Sequence, residues 1–172
     1  RIMRNIQLLE NKTREQYKQI EGLIDNINGV ACRFACDNDL TMLYVSKPIE
    51  DFTGYISADF MNNVLRNYRE VIHTDDQDRV TQVIFDAIRS NKSYEVEYRI
   101  VHKDGFVRWG MEKGRCIEGA NGELKYLDAI IFDITMSKVQ KIHTQKMKNV
   151  AEASEKYLAE IFNSATDAIV IT

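Results

Sequence analysis

The chain has 172 residues, 44% of them hydrophobic and 28% charged, with 23 Lys and Arg against 26 Asp and Glu for a net charge of −3. That apolar mass excludes a disordered or fibrous polymer and sustains one core of roughly 100–150 residues with some chain left over. The near-neutral balance gives no general attraction to nucleic acid or to an anionic membrane surface, and no run approaches the ~18 uninterrupted apolar residues that span a bilayer. The segment is therefore expected to be soluble, without membrane contact of its own. Cys32, Cys36 and Cys116 make no disulfide framework, so a reducing, cytoplasmic setting is expected. The chain starts without Met and ends on Ala168-Ile169-Val170-Ile171-Thr172, so it reads as part of a longer protein whose other parts could carry a membrane anchor.

In chain order, Ile2, Ile6, Leu9, Thr13, Gln16, Ile20, Leu23 and Ile27 step by alternating four and three, the seam of an amphipathic helix with coiled-coil character ended by Asn28-Gly29. Val30 to Cys36 and Leu40 to Val45, joined by Asp37-Asn38-Asp39, predict a β-hairpin. Pro48 opens a short helical turn stopped by Gly54, and residues 56 to 70 read as irregular short helices. Thr74-Asp75-Asp76-Gln77 has the capping-box pattern, ahead of Val80, Val83, Ile84, Ala87 and Ile88, and predicts a helix over about 75–89. Three alternating strands follow at 94–102, 106–117 and 124–134, separated by Lys103-Asp104-Gly105 and by Gly119-Ala120-Asn121-Gly122. Five strands with helices between the second and third make an α+β fold. From Met136 to Phe162 the chain is helical again, with Met136, Val139, His143, Val150, Ala153, Tyr157 and Ile161 near heptad spacing. Residues 161–168 repeat the pattern of 23–30, a helix end, a polar turn and a strand start.

A turn centred on Asn121-Gly122 sets Trp109 opposite Phe132, Lys113 opposite Asp128 and Arg108 opposite Asp133. A three-residue Lys103-Asp104-Gly105 loop with Gly105 in the left-handed region keeps the faces of the first two long strands aligned. One face then carries Glu95, Lys113 and Asp128 as a charge row, with Arg99, Trp109 and Phe132 placed for cation–π contact. The other carries Val96, Tyr98, Ile100, Gly110, Glu112, Gly114, Leu127, Ala129 and Ile131. Both faces need a cover, the middle helices for one and the flanking helices for the other. Gly110, Gly114 and Ala129 leave room around Glu112, and room with one polar group is how a small-molecule pocket begins. The pocket candidates are Phe34, Cys36, Tyr98, Ile100, Gly110, Glu112, Gly114, Leu127, Ala129 and Ile131. Glu112 is equally able to turn to solvent at a bulge, and Tyr98 to serve as core.

Phe52-Thr53-Gly54-Tyr55, Ile72-His73-Thr74-Asp75-Asp76, Glu97-Tyr98-Arg99-Ile100, Lys103-Asp104-Gly105, Arg108-Trp109, Asn121-Gly122 and Asp133-Ile134-Thr135 resemble, in order and spacing, the PAS sensory domain with its C-terminal PAC motif. The resemblance covers about residues 22 to 136; Thr74 departs from it, standing where the family usually has proline. It implies a five-stranded antiparallel sheet with helices over one face, a cavity between them and flanking helices that form a homodimer. It also implies a relay from the last strand to an output helix through Asp133-Ile134-Thr135, with Arg108 as the partner that registry offers Asp133. The expected organisation is an amphipathic helix at 1–27, the PAS domain at 28–135, a signalling helix at 136–162 and the start of a second, truncated PAS domain at 163–172. The partners so implied are a small ligand of unknown identity, and an adjacent PAS or effector domain such as a histidine kinase, diguanylate cyclase or chemoreceptor.

Cys32 and Cys36 share a strand face, but no second ligand pair accompanies them to complete a metal site. Ala31-Cys32-Arg33-Phe34 is similar to the Asn-Cys-Arg-Phe of flavin-binding relatives, yet it lies on the first strand, where those proteins carry the motif on a helix. His73, His102 and His143 give weak support for haem. With no Gly-rich phosphate loop, no nucleophile with an assignable base and no metal cluster, an enzyme is not expected. A ligand-free spacer in a tandem array, and a haem or flavin sensor, stand as the alternatives to a ligand sensor.

Overall fold

Antiparallel pairing organises the computed structural model, which describes residues 12, 14–16, 19, 20, 22–24, 27–119 and 121–170. Among them β1 (Val30–Ala35), β2 (Met42–Val45), β3 (Tyr94–Val101), β4 (Val107–Glu118) and β5 (Leu124–Asp133) form one five-stranded sheet in the order β2-β1-β5-β4-β3. Between β2 and β3 lie α1 (Ile49–Thr53), α2 (Ser57–Phe60), two 3-10 turns (Met61–Asn63 and Tyr68–Val71) and α3 (Thr74–Ser90). Their apolar residues Ile49, Phe52, Phe60, Tyr68, Val80 and Ile84 join the inward residues Phe34, Val96, Tyr98, Ile100, Leu127 and Ile131 of the sheet in one core. Strand alternation explains that division: on β3, Tyr94, Val96, Tyr98 and Ile100 are buried while Glu95 and Glu97 face out.

Turn chemistry decides the register. The β3–β4 loop has three residues, with Gly105 at φ 90° and the His102 N–H donating to the Phe106 carbonyl at 2.9 Å, so the two strands align their faces as expected. Glu95 accordingly sits opposite Lys113 and pairs with it at 2.8 Å, and Arg99 sits opposite Trp109, its guanidinium 6.0 Å from the ring. The β4–β5 turn closes differently. The Gly119 N–H donates to the Glu123 carbonyl, Gly122 takes φ 75°, and a bulge follows at Ile117/Glu118. The wider turn and the bulge together slide β5 by two residues from a tight Asn-Gly hairpin. Gly110, not Arg108, therefore faces Asp133; Ile131, not Ala129, faces Glu112; and Asp128 faces Arg115 instead of Lys113. A two-residue slip keeps every side chain on its expected face. Asp128 pairs with Arg33 of β1 instead, at 2.6 and 2.7 Å.

α3 starts one residue earlier than the capping-box pattern predicts. His73 is the N-cap, its Nδ1 accepting from the Asp75 N–H at 3.3 Å, and Gln77 donates to the Ile72 carbonyl. Asp76 reaches further. It accepts from the Arg99 backbone N–H at 2.9 Å and from its guanidinium at 2.9 and 3.0 Å, tying the start of α3 to β3.

The outer sheet face carries an open groove of about 1210 Å³ lined by Arg33, Glu95, Lys113, Asp128 and Ile130, with Ile20 and Ile24 also on its lining. Of the expected N-terminal seam, Gln16, Ile20 and Leu23 are helical, Ile27 lies beyond the helix, and Ile2, Ile6, Leu9 and Thr13 lie outside the described residues. Residues 135 onward form a second unit, the single helix α4 (Thr135–Val170), on which Met136, Val139, Ile142, Met147, Val150, Leu158 and Ile161 are exposed. Its helix continues through Val170, where the sequence suggests a strand at 168–172; residues 171 and 172 lie outside the described residues. A lone strand leaves its backbone donors and acceptors unpaired, whereas a helix satisfies them within the segment.

Candidate functional site

Glu112 projects from the middle of β4 into the helix-covered side of the sheet and is 1% exposed. The neighbours on its own face are Gly110 and Gly114, and both gaps are filled by rings. The tip of Phe52 lies 3.1 Å from where a Gly110 Cβ would stand, and the Tyr94 ring 2.5–2.6 Å from a Gly114 Cβ. The open space expected at Gly110 and Gly114 is therefore taken by aromatic rings from α1 and β3.

The Tyr94 ring reaches across Gly114 so that its hydroxyl donates to Glu112 Oε1. The Tyr98 hydroxyl donates to Oε2 at 2.6 Å and accepts from the Tyr68 hydroxyl at 3.0 Å. Tyr68 arrives from the second 3-10 turn, whose start is fixed by an Asn67–Glu70 capping box. Edge-to-face rings Tyr55, Phe60, Tyr68 and Tyr98, with successive centroids 6.4, 6.0 and 6.5 Å apart, build the wall behind it.

Both hydrogen-bond partners of the Glu112 carboxylate are thus neutral phenols, and no basic side chain among the described residues forms an ion pair with it. Burial pushes its pKa up, partly offset by the hydrogen bonds from Tyr94 and Tyr98. The same burial, with the Glu112 charge next, pushes the Tyr68 and Tyr98 phenols well above their usual range. A carboxyl whose folded-state pKa lies above its ordinary 4.5 binds its proton more tightly folded than unfolded, so it withdraws stability as pH rises from about 4.5 towards that higher value. Glu112→Gln, which cannot ionise, should lose this dependence. In urea unfolding between pH 4.5 and 7.5 the wild type should fall relative to the variant as pH rises; parallel curves would contradict the assignment.

Beside Glu112 lies a small, partly open cavity of about 140 Å³, lined by Phe34, Leu127 and Glu112 from the sheet, Tyr68, Ile72, Val80, Ile84 and Phe85 from the cover, and Asn38, Asp39, Leu40, Asn67, Arg69 and Thr81 besides. Three sequence-predicted pocket residues thus meet there: Phe34, Glu112 and Leu127. Tyr98 touches the site through its hydroxyl. Ile100 and Ile131 are core, at 0% and 1% exposure, and Ala129 accepts from the Cys32 thiol at 3.5 Å through its carbonyl. Cys36 is half-buried, and burial followed by the neighbouring Cys116 raises its pKa to about 11. Of the residues missed in the sequence, Tyr68 comes from residues 56–70, which carry no periodicity to say which side chains turn inward; Asn38, Asp39 and Leu40 come from the loop between β1 and β2, and Tyr94 from β3.

A match to the family model for the PAS fold spans residues 42–131, covering β2 through most of β5. The chain belongs to the PAS fold family. It is 31% identical over 96 residues to a methyl sulfide methyltransferase-associated sensor of Methanosarcina acetivorans, a match that takes in 55% of this chain and 9% of that protein. The chain therefore spans under a tenth of that relative. Among solved structures it is similar to a sensory box histidine kinase/response regulator from Burkholderia thailandensis, with 21% identity, TM-score 0.60, 76% of this chain and 95% of that one covered. It is also similar to the N-terminal domain of a diguanylate cyclase with PAS/PAC sensor from Marinobacter aquaeolei, with 19% identity, TM-score 0.58, 64% of this chain and 98% of that one covered. At these identities the structural likenesses speak for the fold.

In this PAS domain the expected Arg108–Asp133 pair is replaced. Arg108 Nη1 donates to the Asp51 carbonyl at 2.7 Å, which ties β4 to α1, because the two-residue slip moves Asp133 along β4 to Gly110. β5 is instead closed by the Ile134 N–H donating to the Trp109 carbonyl at 2.9 Å, and Thr135 begins α4. A flavin or haem does not fit the cavity, whose 140 Å³ is well below the ~300–1,000 Å³ of cofactor-sized pockets. Cys32 is buried on β1 with its thiol on the Ala129 carbonyl, His73 is engaged at the start of α3, and His102 pairs with Asp104 at 2.7 Å. Among the described residues no cluster of three or more His, Cys, Asp and Glu could hold a metal, and no helix is long and apolar enough to cross a membrane.

Proposed function

We propose that this PAS domain is a sensory module of a longer signalling protein, which binds a small molecule in its internal cavity and relays occupancy to α4. The observation that carries the reading is Glu112, a buried carboxylate without a countercharge, on the wall of a small cavity. A filled structural core has no use for such a group, since burying a carboxylate without a cation costs stability. The relay runs from β4 and β5, which hold Glu112 and Leu127, through Asp133-Ile134 to Thr135 at the start of α4. The mechanism is a population shift: the ligand must bind one arrangement of sheet and output helix better than the other. The exposed apolar residues of α4 support a homodimer through this helix, and the names of the Burkholderia and Marinobacter relatives support a kinase or cyclase as effector in the same chain. The domain itself acts by conformation, not catalysis.

Native mass spectrometry of the chain purified from cells should find a bound species below about 100 Da, a mass consistent with so small a space. In the longer protein, Asp133→Ala should uncouple output while leaving ligand affinity nearly unchanged; output that still follows the ligand would sink the relay. The plugging of Gly110 and Gly114 by Phe52 and Tyr94 favours a second reading, a ligand-free spacer. An empty cavity in protein taken from cells would decide for it.

A further inference from the structure

The Glu112 cavity has a charge and a shape that together name a class of occupant. Glu112 Oε1 and Oε2 each accept one phenol hydrogen, which leaves both oxygens with unused acceptor capacity on a residue that lines the cavity. Arg69 is the basic residue on the cavity lining, and its guanidinium donates to Asp78 at 2.7 Å, a carboxylate 95% exposed, so its charge is drawn outward. Phe34, Tyr68 and Leu127 lead the apolar and aromatic part of the wall, and Asn67 and Thr81 are polar. Asn38 and Asp39 add polar and acidic groups to the lining. An anion would meet an uncompensated carboxylate in low dielectric, and a neutral apolar molecule would leave that carboxylate without a countercharge. A cation bordered by rings gains from both the carboxylate and the ring faces. At 140 Å³ the space is close to the ~150 Å³ of a cavity that accepts benzene, so the guest has at most about six non-hydrogen atoms.

We infer that the cavity beside Glu112 accepts a small organic ammonium ion, from methylammonium to trimethylammonium in size, with its charge on the Glu112 carboxylate and its methyl groups against Phe34 and Tyr68. This rests on the ligand-binding reading above and gives that ligand its chemical class. The ion supplies the countercharge that the carboxylate lacks, and its methyl groups meet aromatic and aliphatic walls that a hydrated sodium or potassium ion would not use.

The deciding experiment is isothermal titration calorimetry of the 172-residue chain with methylammonium, dimethylammonium and trimethylammonium chloride, against sodium chloride at equal ionic strength and tert-butanol as a neutral probe of the same shape. At least one ammonium ion should bind with one-to-one stoichiometry, and tert-butanol at least about tenfold more weakly. Glu112→Gln should weaken the ammonium by a similar factor. Ile84→Phe, which fills the cavity and leaves Glu112 in place, should abolish binding, and it serves alone if Glu112→Gln does not fold. Nuclear Overhauser contacts from the ligand methyls should reach the Phe34 and Tyr68 rings. Equal binding of tert-butanol, undiminished binding in Ile84→Phe, or no ammonium binding would each overturn the inference. A neutral or anionic species found in the cavity by native mass spectrometry would overturn it while leaving the sensory reading standing; an empty cavity together with no binding would remove both.

Discussion

Gly114→Ala should destabilise the domain by about 3–5 kcal/mol, read as a lower urea midpoint at unchanged slope. An added Cβ would stand 2.5–2.6 Å from Cε1, Cζ and the hydroxyl oxygen of Tyr94, well inside van der Waals contact. A ring tip can often swing aside, but this one is held: Tyr94 is 9% exposed and its hydroxyl donates to Glu112. Moving the ring therefore breaks a hydrogen bond to a buried carboxylate as well as the packing on β4. Overpacking alone accounts for ~1–3 kcal/mol and the lost charged hydrogen bond for ~1.5–3. The pair is testable as a cycle. In Tyr94→Ala the Gly114→Ala change should cost far less than in the wild type, because the clash has gone; equal costs in both backgrounds would show that the strain lies elsewhere.

Asp76→Ala should cost about 2–4 kcal/mol, because it leaves the Arg99 backbone N–H and guanidinium without their acceptor where α3 meets β3. Asp76 is 8% exposed, while Arg79 lies 3.7 Å away and adds to the positive field. Hydrogen bonds from the Arg99 side chain lead in holding the carboxyl down at about 2 against an ordinary 3.8. A depressed folded-state pKa gives stability that is complete above about 4 and is lost as pH falls through about 2, on the order of 2 kcal/mol. Asp76→Asn should therefore flatten the acid limb of the stability curve between about pH 4 and 2. An unchanged acid limb would assign that limb to other carboxylates. Since Glu112 withdraws stability as pH rises from about 4.5, these two groups oppose each other, and their joint contribution peaks near pH 4–5.

How much of the fold is legible in the chain differs from element to element. The three long strands and the Lys103-Asp104-Gly105 loop follow from alternation and from the one residue able to take φ 90° at low cost, and both are local properties. The β4–β5 register does not follow in the same way, because Asn121-Gly122 fits a tight hairpin as readily as the wider turn, and the Ile117/Glu118 bulge has no marker in the sequence. The difference amounts to two residues, so Glu112 stays on the expected face while Arg108 and Asp133 lose each other. Asp75-Asp76 is readable as a helix start; that Asp76 seizes Arg99 depends on where β3 passes.

Local sequence is enough for the family, the five strands, the face each side chain takes and the presence of one acid among glycines on the inner face. Those are set by turns and by the two-residue period of a strand, which act within a few residues of chain. What fills the space around that acid is settled by the packing of distant segments. Phe52 and Tyr94 occupy the glycine gaps, Tyr68 comes across from a 3-10 turn, and the cavity that remains lies to one side, against Phe34 and Leu127. A small residue in a strand declares room without naming its occupant, because close packing is settled between segments distant in the chain.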